Sequence, residues 1–200
     1  MSSRWFRLLV LTMGPTIFLG VITVVFNSIF SQGFGITQSD QIKLFAFSTK
    51  AIYAKGEPIS ILVALKNMSK SALGLSDQVA GTLQIIALKK DGQNVLTRTS
   101  FVSSYESLVY LLKQSVKSVI PGESLPLLLT SESDPELGGE ALGAIQLEQQ
   151  GLNQVTYYAV TEPGRYELSL VYEIPALPGL APGAFKGKTN EATVSFTLTR

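Results

Sequence analysis

Residues 192–199 read Ala192-Thr193-Val194-Ser195-Phe196-Thr197-Leu198-Thr199, so every apolar side chain falls on one parity and every hydroxyl on the other. A period of two is the mark of a β-strand with one buried face, because successive side chains point to opposite sides of the pleat. The same alternation recurs upstream. Tyr166, Leu168, Leu170 and Tyr172 alternate with Glu167, Ser169, Val171 and Glu173, and Ile59, Ile61, Val63 and Leu65 alternate with smaller or polar neighbours. Lys90-Asp91-Gly92-Gln93 supplies the D-G pair of a two-residue type I′ turn, joining a strand around Thr82–Lys89 to one around Asn94–Val102. Lys55-Gly56-Glu57, Pro121-Gly122-Glu123 and Glu162-Pro163-Gly164 each introduce a further strand. The expectation is an all-β domain over 41–200, whose first strand lies in residues 41–49.

Two stretches depart from that pattern. Ser103-Ser104-Tyr105-Glu106 matches the S-x-x-E capping box, and Tyr105, Leu108, Val109, Leu112 and Val116 follow at helical spacing. This predicts one short amphipathic helix at Ser104–Lys117, its apolar stripe laid on the sheets. Ser131–Gly151 is acidic and glycine-bearing and reads as a long connection. Its Glu132, Asp134, Glu136 and Glu140 are oxygen donors of the kind calcium takes, but without EF-hand spacing a solvated acidic loop is the commoner reading.

The composition excludes more chemistry than the motifs add. The chain has no His and no Cys. That removes a His general base, a Ser-His-Asp triad, thiolate metal sites and any disulfide. No P-loop, G-x-S-x-G, S-x-x-K or G-x-G-x-x-G is present. From Asp40 onward 14 basic residues face 15 acidic ones, which is no electrostatic footprint for nucleic acid. No catalytic residue, cofactor or metal is expected.

Before Asp40 the chain changes character. Arg4 and Arg7 are followed by no charge until Asp40, and Leu8 to Phe26 is mainly apolar. About 20 such residues span a bilayer as a helix, and the basic flank places the rest of the chain on the outer side. Residues 1–7 read as a cytoplasmic tail, 8–27 as a transmembrane anchor and 28–40 as a linker. The competing reading of the apolar run is a cleaved signal peptide, although no A-x-A site follows. Both put the β domain outside the cytoplasm, and the lack of Cys favours a bacterial periplasm or cell surface.

Glu162-Pro163-Gly164-Arg165-Tyr166 resembles the acidic-x-Gly-x-Tyr opening of strand F in immunoglobulin domains. The resemblance implies an Ig-like antiparallel β-sandwich with Tyr166 at a tyrosine corner, its hydroxyl bonded to nearby backbone. Leu168 then stands where such domains carry their second cysteine. Thr49-Lys50-Ala51-Ile52-Tyr53-Ala54-Lys55-Gly56-Glu57-Pro58-Ile59 is similar to the entry of macroglobulin-type (MG2-like) sandwich domains. That family's thioester needs a Cys, so the resemblance implies architecture alone.

Three local features bear on function. Asn67-Met68-Ser69 is a glycosylation sequon, or simply an Asn ending a strand in a turn. The uncharged segment from Ile174 to Phe185 carries Pro175, Pro178 and Pro182 with Leu177, Leu180 and Phe185. Those three apolar residues either form an exposed partner-binding patch or fold back onto the domain. Tyr157-Tyr158 is a modest candidate for a carbohydrate platform, of which only one ring can face outward. Together these features lead to an expected membrane-anchored, non-catalytic binding or accessory module with a protein partner; the alternative is a secreted carbohydrate-binding sandwich.

Overall fold

The computed structural model describes residues 41–146, 152–174, 177 and 179–200. Among them the chain runs through β1 (Ile42–Ser48), β2 (Ile52–Tyr53), β3 (Ser60–Asn67), β4 (Leu73–Ser76), β5 (Leu83–Lys90), β6 (Gln93–Asn94) and β7 (Thr97–Ser104). The single helix among the described residues, α1 (Tyr105–Gln114), follows directly. Then come β8 (Val116–Val119), β9 (Ser124–Thr130), β10 (Glu132–Asp134), β11 (Gly139–Gln146), β12 (Leu152–Ala159), β13 (Gly164–Ile174), β14 (Gly187–Lys188) and β15 (Ala192–Leu198). The all-β expectation holds. Among the described residues no helix is long and apolar enough to cross a membrane. The expected anchor at 8–27, with its flanking tail and linker, lies outside them.

Three strands pair in the order β1-β3-β9 and form one sheet. A second sheet runs β2-β15-β13-β5-β6, with β14 pairing β13. All of its pairings are antiparallel except β2 against β15, which is parallel. The alternating sequences explain why these two sheets share one interior. Ile42, Leu44, Ile61, Val63, Leu65, Leu125, Leu127 and Leu129 from the first join Leu83, Leu88, Leu168, Leu170, Val194, Phe196 and Leu198 from the second in one buried cluster. Each such aliphatic side chain contributes about 1.5–3 kcal/mol on burial.

The D-G turn forms as expected, with positive φ at Asp91 (50°) and Gly92 (83°) and Lys90 paired to Gln93. The strand expected over Asn94–Val102 does not persist beyond it. β6 ends at Asn94, and β7 leaves to edge a third sheet of order β10-β11-β12-β7. This corrects a second expectation, since the supposed connection Ser131–Gly151 contains β10 and β11. Leu142 and Ala144 of β11 are buried in the main core, so the segment carries a core-facing strand despite its charge. The helix is also shorter than expected. It stops at Gln114, and Lys117 lies in β8, pairing Leu75 of β4. Leu108 and Leu112 are its buried positions, one helical turn apart.

Three tyrosine hydroxyls fasten strands to neighbouring backbone. Tyr53 donates to the Ser60 carbonyl (2.9 Å) and accepts from the Lys50 amide (3.2 Å). Tyr172 donates to the Ser76 carbonyl (3.1 Å) and accepts the Ser76 amide (2.8 Å) in a fully buried setting. Tyr166 binds Glu162 in the same two-ended way (2.7 and 3.3 Å). Its ring stacks on Phe196 at 5.3 Å, and Tyr53 meets the same Phe edge-on at 5.8 Å.

Candidate functional surfaces

The segment singled out for partner binding is folded against its own domain. Leu177 is 6% exposed and packs with Leu108 and Leu112 of α1, while Phe185 is 8% exposed in the main core. Leu180 is half-buried and touches both clusters. Backbone bonds hold the segment down: Gly74 donates to the Gly183 carbonyl (2.9 Å) and Phe185 donates to the Gly74 carbonyl (2.8 Å). Gly74 is required there, because a Cβ would lie 2.8 Å from Val116 Cγ1 and 3.0 Å from Ala184 Cα. The exposed patch of Leu177, Leu180 and Phe185 is therefore not formed. An uncharged loop buries its apolar residues when a groove lies within reach, and α1 with β4 provides one. Pro175 and Pro178 lie outside the described residues.

Tyr166 is where the sequence placed it, buried at the start of β13 with its hydroxyl on the backbone four residues upstream. Burial pushes its phenol above the usual value. Beside it a cavity of about 320 Å³ is lined by Val95, Leu96, Leu137, Ala159, Gln93, Asn94, Thr161 and the Lys90–Glu162 ion pair. The side-chain bond from Lys90 holds Glu162 below the usual carboxylate range.

The acidic residues of 132–140 do not converge. Asp134 is buried, and one of its carboxylate oxygens takes two bonds from Arg98, from Nη2 at 2.6 Å and Nε at 3.1 Å. Its other oxygen accepts the Glu136 amide (2.9 Å) and the Leu137 amide (3.2 Å), closing the β10–β11 turn. Glu136 lies 3.4 Å from Arg98, and Glu140 accepts from Ser131. The Arg98 side-chain bond holds the Asp134 carboxyl below its ordinary value, against the opposing effect of burial. Among the described residues no three acidic groups form a metal cluster. A shallow cleft of about 200 Å³ lies over this network, lined by Arg98, Asp134, Glu136 and Tyr157 among others.

The two candidate platform rings are both engaged. The Arg98 guanidinium sits 4.9 Å from the centroid of Tyr157. Tyr158, on the opposite face, donates to the Ile85 carbonyl (3.2 Å) and packs on the core. The sequon is likewise structural. Asn67 is fully buried, its amide donates to the carbonyls of Ser71 (2.9 Å) and Val119 (2.8 Å), and its oxygen accepts the Ser69 amide and hydroxyl. The side-chain nitrogen that glycosylation would need is thus buried and bonded to two carbonyls, while the side-chain oxygen closes an Asx-type turn.

Sequence reasoning missed two surfaces. Phe101 on the edge strand β7 is 64% exposed, and Tyr110 and Leu111 on α1 are 63% and 48% exposed. The other is the outer face of β1-β3-β9. Register aligns Lys43 with Lys66 and Ser124, Phe45 with Ala64 and Pro126, and Phe47 with Leu62 and Leu128. On that face Leu62 is half-buried and Ala64 fully buried, while Pro126 and Leu128 are exposed.

No protein-family model and no curated protein matches the chain in sequence. A solved structure of AvmM, which catalyzes macrocyclization in alchivemycin A biosynthesis, is similar over 81% of this chain and 90% of that one. The identity is 12% and the TM-score 0.34, a likeness too slight to carry an argument about fold or activity.

Proposed function

We propose that residues 41–200 form an Ig-like β-sandwich held outside a membrane by residues 8–27, and that it works as a non-catalytic binding or accessory module for a protein partner. The strand order supports the architecture. β1-β3-β9 corresponds to strands A, B and E of an immunoglobulin domain, and β5-β13-β15 to C, F and G. The parallel pairing of β2 with β15 lets the first strand region contribute to both sheets, as a strand that crosses between layers does. Tyr166 makes the i−4 backbone bond expected of a tyrosine corner. The macroglobulin-type resemblance around Tyr53 remains one of architecture.

A non-catalytic role fits the electrostatics. Glu57, Asp134 and Glu162 are all pushed downward by a bonded cation, so they stay anionic at neutral pH and are poor proton donors. The observation that carries the binding reading is the exposed Phe101, Tyr110 and Leu111 on one edge strand and the helix that follows it. Large apolar side chains outside the core, next to unpaired strand edges, are typical of recognition surfaces. The test is recovery of crosslinked partners from detergent-solubilised membranes by the native chain and by Phe101→Ser, Tyr110→Ser and Leu111→Ser combined. Stability stays within roughly 0.5 kcal/mol for each exposed site, and the partner band is lost. An unchanged band refutes this surface.

A further inference from the structure

Edge strand β7 carries a row of backbone groups on its open side. The Ala159 amide donates to the Leu96 carbonyl (2.9 Å), so these two residues face each other as a hydrogen-bonded pair of the β12–β7 ladder. In an antiparallel ladder bonded and non-bonded pairs alternate. Arg98 and Ser100 are therefore the next residues bonded to β12, and Thr97, Thr99 and Phe101 turn N–H and C=O to the open side. Among the described residues no backbone group pairs with them, and β7 ends its sheet. Their side chains are exposed as well. In register they face Tyr158, Thr156 and Gln154, and Tyr158 packs on the main core. All three thus stand on the core-facing side of the sheet, where it runs past the layer that covers it.

Natural sheets blunt such edges with shortness, charge or proline. β10, the opposite edge of the same sheet, is three residues long and carries Glu132 and Asp134. β9 carries Pro126, β1 carries Lys43, and β2 and β6 have two residues each. From Thr97 to Phe101 β7 has no Pro, Lys or acid, and its Arg98 is bonded to Asp134.

We propose that a second copy of this chain pairs its own β7 antiparallel to this edge, with Thr99 on the twofold axis. The inference rests on the binding reading of the Phe101 surface and names its partner. Only registers that set open-side residues opposite one another complete their bonds. With Thr99 facing Thr99, Thr97 faces Phe101 on both sides, and each of these pairs exchanges two backbone hydrogen bonds. Arg98 then faces Ser100. Threonine pairs and aromatic–β-branched pairs are among those that stabilise facing strands. Moving the axis to Arg98 sets two guanidinium groups opposite each other, a like-charge pair that destabilises. Moving it to Ser100 sets Thr97 opposite residues beyond the bulge at Val102, where the ladder is broken. The strand is complementary to itself in one register.

The chain lacks Cys, so single thiols report proximity without background. In this register the two Thr99 Cα atoms lie about 5.5 Å apart, whereas Thr97 lies roughly 14 Å from its counterpart. With a short bis-methanethiosulfonate, the full chain in detergent is expected to crosslink as Thr99→Cys. Thr97→Cys and Phe101→Cys do not crosslink alone, but a mixture of the two does. Light scattering of the native full chain gives twice the monomer's protein mass. Thr99→Lys and Thr99→Glu, each checked for retained fold by circular dichroism, are monomeric alone and dimeric when mixed, because opposite charges then meet on the axis. A monomeric native chain overturns the pairing, as does a dimer unmoved by Thr99→Lys or crosslinked equally at all three positions. The membrane crosslinking above separates this from the binding reading. A band holding two copies of this chain supports the pairing. A Phe101-dependent band holding a different protein keeps the surface and overturns only the second copy; a band indifferent to Phe101 overturns both.

Discussion

Replacing Tyr172 with Phe deletes one oxygen and keeps the ring. The hydroxyl is bonded at both ends to Ser76, accepting its amide at 2.8 Å and donating to its carbonyl at 3.1 Å. Tyr172 is 0% exposed and Ser76 1%, so no solvent replaces the lost partner. A buried amide left unpaired costs about 1–3 kcal/mol. Tyr166→Phe is the internal control, since it removes a hydroxyl with the same two-ended pattern from Glu162, an exposed residue that water can reach. Its cost is that of an ordinary hydrogen bond, about 0.5–1.5 kcal/mol. For a domain of this size each kcal/mol moves the melting temperature by about 2–4 °C. Tyr172→Phe is expected to lower it by about 2–12 °C, and Tyr166→Phe by less.

The alkaline limb gives an independent reading. Burial pushes the Tyr172 phenol well above its usual value, so its contribution is complete below about pH 10 and is lost as pH rises toward the folded value. The Tyr172→Phe protein should lose less stability above about pH 10 than the native one does. Thermal and urea unfolding followed by far-ultraviolet circular dichroism measures both effects. A Tyr166→Phe cost that equals or exceeds that of Tyr172→Phe would refute the argument from burial.

Other outcomes follow from the same geometry. Leu177→Ser and Phe185→Ser remove buried apolar groups that each cost about 2–5 kcal/mol, and Leu180→Ser a half-buried one, so thermal melts of the triple variant should show a largely unfolded chain. Asn67→Ala strands two carbonyls and an amide and should lower the stability measured by urea unfolding by about 1–3 kcal/mol. Gly74→Ala forces a Cβ against Val116 and the Ala184 backbone and should cost about 1–3 kcal/mol by the same assay. Asp134 is held below its usual value by Arg98, so its contribution is present above about pH 4 and lost as pH falls. The urea-midpoint difference between native and Asp134→Asn chains should therefore shrink on acidification; a difference that grows contradicts the ion pair.

How far the sequence could be read depended on how many faces each strand buries. β13 and β15 bury one face, so alternation marked them within a residue or two, and the D-G pair placed its turn at Asp91 and Gly92. β11 was hidden because Gly139-Glu140-Ala141-Leu142-Gly143-Ala144 shows no apolar-polar alternation, with Gly and Ala on one face and Glu140, Leu142 and Ala144 on the other. Ala141 fills a minor cluster with Ala159 while Leu142 reaches the main core. The helix end was overrun because Val116 continues the helical spacing, yet pairing with Ser76 of β4 draws it into a strand. Tertiary pairing outweighs local propensity there. Leu177 and Phe185 misled for the opposite reason. Their segment looks like a surface loop by its prolines and glycines, and only the groove beside α1 explains where its apolar groups go.

The inserted sheet also explains why the exposed apolar positions were not legible. As read from sequence, β5 and the strand after it form one hairpin. In the structure the chain leaves at Val95, builds β7 and α1, and later returns through β10, β11 and β12 before β13 resumes the second sheet. β7 thus becomes an edge strand, although it sits mid-sequence, where a central strand would be expected. Arg98 points to the side closed by Asp134 and Tyr157, while Thr97, Thr99 and Phe101 take the other parity and stay exposed. An aromatic residue at such a position reads as core from sequence, because period-two patterns identify a face without saying whether another layer covers it. The same ambiguity hid Phe45 and Phe47, whose parity is opposite to Ile42 and Leu44. The exposure of Phe101 therefore emerges only when strand order is known.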